Sequence, residues 1–220
     1  MYNLPLFPLN TVLFPGVPLY LHIFEPRYRL LLQHCIEGNL SFGVVLIRQG
    51  VEALGPLALT YSIGCSARLV EVEPLEDGRS NLTVIGDERF RVISLDRESQ
   101  PYLVGHVETL QLEHTNSIEV RRNLRPLYRQ VKQYLGLLAT LENADLNLDE
   151  MMLPEEVPSL IYLAASLLQI PVNEKQPLLA TENASLLIRL VQRLYRREMS
   201  VLSRLQFMNE EQAQRAAWLN

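Results

Sequence analysis

Lysine is nearly absent from this chain. Lys132 and Lys175 are the only two among 220 residues, and the remaining basic side chains are arginines. No Gly-x-x-x-x-Gly-Lys-Ser/Thr segment exists, so the glycine-rich cradle that holds nucleotide phosphates is missing. A Ser-Lys nucleophile pair needs a lysine whose pKa burial has lowered. Lys132 is expected on a polar helix face and Lys175 in a turn, and neither position reads as buried. The four histidines (His22, His34, His106 and His114) lack metal-ligand spacing, and the adjacent His34 and Cys35 point away from each other on a helix. The sequence therefore offers no catalytic, metal or cofactor residues. Cysteine is also scarce: Cys35 and Cys65 stand far apart without a pairing pattern and read as a reduced pair.

Charge is missing from the opening. No charged residue precedes Glu25, so hydropathy alone suggests a signal peptide or membrane span. Pro5, Pro8, Pro15 and Pro18 exclude the span, because each lacks an N–H and breaks a helix. No Lys or Arg supplies the basic start of a signal peptide. The expectation is a cytoplasmic protein without a membrane partner, opening with a buried strand and loop that enter a helix after Pro26. Cationic patches are absent from the first half as well. Residues 1–116 carry 13 acidic and 8 basic side chains, against 12 of each in residues 117–220. Phosphate binding needs clustered Lys and Arg, so a nucleic-acid partner is not expected.

What is present is an ordinary globular composition, with 48% hydrophobic residues, 20% charged residues and a mean hydropathy of +0.03. Val44–Ile47 is a short apolar run suited to a strand covered on both faces. Tyr61–Val72 alternates, with Ile63, Cys65, Ala67 and Leu69 on one side. Asp77-Gly78 then marks a hairpin, because glycine accepts the positive φ of the tight turn. The return strand spans Asn81–Ile85 and ends at Gly86, where a bulge fits. Phe90–Ile93 and Tyr102–Val107 add two strands. Arg27–Glu37 is helical, with Leu30, Leu31, His34 and Cys35 at helical spacing and Gly38 as its stop.

From Ser117 the period changes. Val120, Leu124, Leu127, Tyr128, Val131, Tyr134, Leu135 and Leu138 recur every three or four residues, and Asn116-Ser117 offers a cap. Pro126 should kink that helix or delay its start. An acidic loop over 142–153 precedes a helix over about 155–169, a turn over 171–180 and a last helix from about Asn183. The fold class expected is α+β. A small curved sheet or pseudo-barrel with one helix occupies residues 1–116, and an all-helical bundle follows over 117–207. Residues 208–220 form a tail or helix extension.

Leu4-Pro5-Leu6-Phe7-Pro8-Leu9, Phe14-Pro15-Gly16, Glu25-Pro26-Arg27-Tyr28 and Phe42–Ile47 together resemble the amino-terminal domain of the ATP-dependent Lon proteases. The Gln-x-Leu-Leu at 176–179, leading into an Arg- and Leu-rich helix, extends the resemblance over nearly the whole chain. The resemblance implies a PUA-like barrel and a non-catalytic module of protein quality control that binds unfolded or partly folded polypeptides, with a protease or chaperone as a further partner. An adaptor or ligand sensor with one specific protein partner is the alternative. Phe14, Phe24, Tyr28 and Phe42 are the candidate polypeptide-binding residues. The same motifs also have a structural reading, in which Pro26 opens the helix, Glu25 sits at its positive end, and Arg27 or Arg89 pairs with Glu25.

Overall fold

The computed structural model describes residues 1–142, 144, 147 and 152–218, with side chains described through residue 208. Most of the acidic loop expected over 142–153 lies outside the described residues. Six strands and five helices follow in order: β1 (Tyr2–Leu9), β2 (Pro18–Ile23), α1 (Pro26–Gly38), β3 (Phe42–Gln49), β4 (Leu59–Pro74), β5 (Ser80–Asp96), β6 (Leu103–Leu110), α2 (Ile118–Glu142), α3 (Val157–Leu167), α4 (Val172–Ala180) and α5 (Ala184–Trp218). The chain divides into a sheet unit, residues 1–113 with 165–182, and a helical unit, residues 114–164 with 183–220.

In the sheet unit the strand order is β2-β5-β4-β3-β1-β6, and β5 also pairs with β6. That extra pairing closes β5, β4, β3, β1 and β6 into a five-stranded ring, with β2 appended outside it. The long strand β5 makes this possible by changing partners along its length. Its first part, Ser80–Ile85, pairs with β2, and its second part, Arg89–Asp96, pairs with β6. The change falls where the β4–β5 register slips between Gly86 and Arg89. The sequence suggested two separate strands here. A single bulged strand is found instead, because Ser66 Oγ accepts from the Glu88 N–H at 3.0 Å and bridges the irregular residues.

Leu4, Leu6, Val45, Phe90, Leu103 and Val107 fill the ring. Burying each such side chain stabilises the unit by about 1.5–3 kcal/mol. Gly43 makes room for the Phe90 ring: a Cβ there would lie 2.6 Å from Phe90 Cζ and 2.7 Å from Leu6 Cδ2. At Gly16 φ is +76°, and its N–H donates to the Gly86 carbonyl at 2.8 Å, which fixes the turn before β2.

The segment 165–182 belongs to the sheet unit although it follows the change to helical period. Its α4 replaces the turn expected over 171–180. Pro177 removes one backbone donor from this nine-residue helix, but side chains anchor the segment to the sheet. Gln176 Nε2 donates to the Ile63 carbonyl at 2.8 Å. Arg89, 2% exposed, donates to the carbonyls of Leu179 at 2.8 Å, Thr181 at 2.6 Å and Gln111 at 2.9 Å. The helix C-terminus thus meets a buried cation, the favourable end of the helix dipole for positive charge.

In the helical unit, Val120, Leu127, Val131 and Tyr134 of α2 are buried, as are Leu187, Ile188, Val191 and Tyr195 of α5. The rings of Tyr134 and Tyr195 meet edge to face at 5.2 Å, and the Tyr195 hydroxyl donates to the Ala164 carbonyl at 2.7 Å. Ser117 caps α2 by accepting from the Val120 N–H at 3.2 Å. Pro126 lies inside α2, and Asn183 Oδ1 caps the start of α5 at 3.0 Å. Among the described residues no helix is long and apolar enough to cross a membrane.

Candidate binding surfaces of the sheet unit

The four aromatic candidates separate sharply on burial. Phe14 (0% exposed), Phe42 (1%) and Tyr28 (5%) are core residues, whereas Phe24 is 42% exposed. The Phe7 ring lies 4.2 Å from Tyr28 and 6.0 Å from Phe42, so these side chains lock β1, α1 and β3 together. Three of the four therefore cannot line an open patch. The physical reason is the local wiring of Glu25-Pro26-Arg27-Tyr28. Arg27 Nε lies 2.9 Å from Glu25 Oε2, and Glu25 Oε1 accepts from the Leu54 N–H at 3.3 Å. Arg27 also donates to the Gly55 carbonyl at 3.1 Å. Arg27 is the partner of Glu25, while Arg89 is used elsewhere. Burial pushes the Tyr28 hydroxyl up to about 12.

The open surface of α1 is a different face. Tyr28, Leu31, Leu32 and Cys35 turn inward, while Leu30 and Ile36 are 43% and 52% exposed. The apolar face expected from Leu30, Leu31, His34 and Cys35 is thus rotated; the helix ends at Gly38, and the left-handed residue that caps it is Asn39. Pro26, Arg29, Leu30, Gln33, Ile36 and Glu37 form one wall of a groove of about 550 Å³, within the range of ligand pockets. Val72, Pro74, Gly78 and Ser80 of the β4–β5 hairpin form the other. The walls are largely apolar, with Arg29, Gln33 and Glu37 interleaved among the apolar side chains. The Arg29 guanidinium lies over Gly78, and Glu37 accepts from Gln33 Nε2 at 2.8 Å. The spacing 26, 29/30, 33, 36/37 is legible in the sequence, but only the structure shows that this face is uncovered.

The opposite face of the same hairpin is polar. Tyr20, His22, Glu71, Glu73, Asn81 and Thr83 line a shallow depression, with His22 Nδ1 2.8 Å from Asn81 Oδ1 and Asn81 Nδ2 donating to Glu73 at 3.0 Å.

Nucleophiles and metal ligands do not converge on either surface. Burial raises the Cys35 thiol to about 11 and the Cys65 thiol further. Lys175 departs from expectation: it lies on α4, half-buried, and desolvation lowers its pKa. Its Nζ is held by the Ser166 carbonyl at 2.7 Å. Lys132 Nζ stands over the Tyr128 ring at 5.3 Å. Among the described residues no group of three or more His, Cys, Asp and Glu side chains is placed to hold a metal ion.

Comparison with known proteins matches residues 3–197 to the family described as the ATP-dependent protease La (LON) substrate-binding domain. Lon protease 2 of Myxococcus xanthus is 32% identical over 206 residues, which are 90% of this chain and 24% of that protein. The chain thus spans about a quarter of that curated relative's length. A Lon N-terminal domain protein from Xanthomonas campestris superposes with a TM-score of 0.57 at 26% identity, covering 86% of this chain and 96% of that one. The N-terminal domain of a Mycobacterium avium complex Lon protease shares the fold, with a TM-score of 0.65 at 15% identity over 88% and 98% of the two chains. No protease or ATPase domain is evident in the matched residues.

Proposed function

This chain belongs to the Lon substrate-binding-domain family, and from that premise we propose that it is a non-catalytic module that binds unfolded or partly folded polypeptides through the groove between α1 and the β4–β5 hairpin. The exposed pair Leu30 and Ile36, facing Val72 and Pro74, is the observation that carries this reading. Four apolar side chains held open to water gain by covering an apolar client segment, and a folded client has few such segments to offer. Ordering a flexible client opposes that gain, so the affinity expected is micromolar, about 8 kcal/mol. The partners are client polypeptides, with a protease or chaperone receiving them, and nucleic acid is not among them. A cytoplasmic setting belongs to the same proposal.

Fluorescence anisotropy with a reduced, unfolded reporter protein tests the reading, with the native reporter as control. Binding is expected for the unfolded form alone. The double variant Leu30→Asp, Ile36→Asp changes exposed positions and should weaken binding at least ten-fold while leaving the melting temperature near that of the parent. Equal binding to native and unfolded reporter overturns the reading in favour of an adaptor with a folded partner.

A further inference from the structure

Resting on that polypeptide-binding reading, we propose that an extended client segment adds as a new strand to the outer edge of β2, pairing its backbone with Pro18–Ile23. Closure of the ring through β5 and β6 still leaves stretches of strand without a neighbour on one side, and two of them lie at the β4–β5 hairpin. One is the far part of β4, beyond its pairing with β3, and the other is the outer edge of β2.

These two edges are guarded very differently. The free part of β4 carries a register slip between Leu69 and Glu71, two exposed carboxylates at Glu71 and Glu73, and then Pro74, which cannot donate. Bulges, charges and prolines are the devices by which proteins keep edges from pairing. Along β2 these devices are missing from the strand interior. All six residues pair with β5 in unbroken register, from Pro18 opposite Ile85 to Ile23 opposite Ser80. No charged residue occurs between Met1 and Phe24. Among the described residues, the backbone of Leu19–Ile23 has no hydrogen bond other than those to β5. Half of its N–H and C=O groups therefore point outward, where only another extended backbone can pair with them.

Side chains on β2 define what the guest strand meets. Leu19 and Leu21 are half-buried and Ile23 is buried on one face, while Tyr20 (75% exposed) and His22 stand on the other. Alternate guest residues on the first face gain most if apolar, since they cover Leu19 and Leu21. Those on the second face lie beside Tyr20 and His22 and tolerate most uncharged residues. Backbone pairing reads conformation rather than sequence, which suits a client defined by being unfolded. The occupant is an extended segment of about six residues, roughly 20 Å long, with every second residue apolar.

The test uses the full chain and a fluorescent ten-residue peptide of alternating valine and threonine, compared with the same peptide N-methylated at every inner residue. Anisotropy should show binding of the first and at least a ten-fold loss for the second, because methylation removes the pairing N–H groups. Hydrogen exchange should slow in residues 19–23 on binding. Tyr20→Lys, an exposed change, should weaken peptide binding several-fold with melting unchanged; adding His22→Lys, which gives up the bond to Asn81 and brings a second cation beside Arg79, should take the loss to at least ten-fold. Equal binding of the methylated peptide, or protection confined to α1, overturns edge pairing while leaving the groove reading intact. A concentration-dependent dimer that Tyr20→Lys dissolves, in a chain that ignores the peptide, assigns the edge to a second copy and also overturns it. Loss of unfolded-reporter binding in the parent protein is a separate result, and it removes the premise itself.

Discussion

Replacing Arg89 by methionine should detach the 165–182 segment from the sheet unit. Methionine keeps much of the apolar volume but removes every donor. Three carbonyls, those of Gln111, Leu179 and Thr181, then lose the guanidinium that now satisfies them at 2.6–2.9 Å. Leaving a buried acceptor unpaired costs about 1–3 kcal/mol, so three sites set an upper range of roughly 3–9 kcal/mol, reduced because the bonds to Thr181 and Gln111 are only partly buried. Two effects pull towards the lower end. The variant no longer buries a charge, and water can enter beside the released helix. The net loss expected is about 3–5 kcal/mol, or a melting shift of roughly 6–20 °C at 2–4 °C per kcal/mol for a chain of this size. Arg89→Lys should fall between parent and methionine, because an ammonium keeps the charge but loses the planar fork that spans separate carbonyls. Hydrogen exchange resolves the mechanism. Amides of α4 should exchange through a local opening at denaturant concentrations where the strands of the ring remain protected. If Arg89→Met melts within about 2 °C of the parent and α4 exchange is unaltered, Arg89 is a passenger and the anchoring argument is wrong.

Three further outcomes rest on backbone conformation and burial. Gly16→Val should cost on the order of 1–3 kcal/mol through its φ of +76° alone, since no atom lies within 4 Å of a Cβ there. Gly43→Val should cost more, because its Cβ meets Phe90, Leu6 and Leu4 inside the ring; equal melting points for the two variants refute the crowding argument. Stability should fall as pH rises from 9 towards 12. Cys35 is raised to about 11 from 9 and Tyr28 to about 12 from 10, so the unfolded chain sheds these protons first and binds fewer of them across that window. Lys175 acts in the opposite direction below 10.5, because its lowered pKa lets the folded chain deprotonate first. Urea midpoints measured from pH 8 to 11 should therefore decline, less steeply in Cys35→Ala, and a rising midpoint contradicts the burial of these groups.

Much of the architecture is legible in local chemistry. The Asp77-Gly78 turn, Pro26 at a helix start and Ser117 as a cap each depend on neighbours in sequence, and each is found; residues 61–72 form the expected strand, but its alternation gives way to unbroken burial from Gly64 to Ala67, where the register slips. What is not legible depends on distant partners. Nothing local in Arg89 distinguishes a buried arginine that gathers three carbonyls from a surface arginine beside Asp87 and Glu88. The two prolines and the polar residues of 171–180 argue for a turn, and only tertiary anchoring through Gln176 and Arg89 favours α4. The candidate site fared similarly. An aromatic in such a local motif is as consistent with core as with a groove, and burial separates Phe24 from Phe14, Tyr28 and Phe42. The uncovered face of α1 and the unguarded edge of β2 are visible only once the ring is closed.

The closing of that ring also dictates an order of events during synthesis. Strand β1 is made first, yet its antiparallel partner β6 begins at Leu103, so one side of β1 waits for about 100 residues of further chain. The sheet unit is still incomplete then, because the segment that satisfies Arg89 ends at residue 182, about 70 residues beyond β6. At roughly 5–20 residues per second, the uncharged opening is left waiting for several seconds after it is made. The nascent chain is therefore, for that interval, a client of the kind the finished protein is proposed to hold.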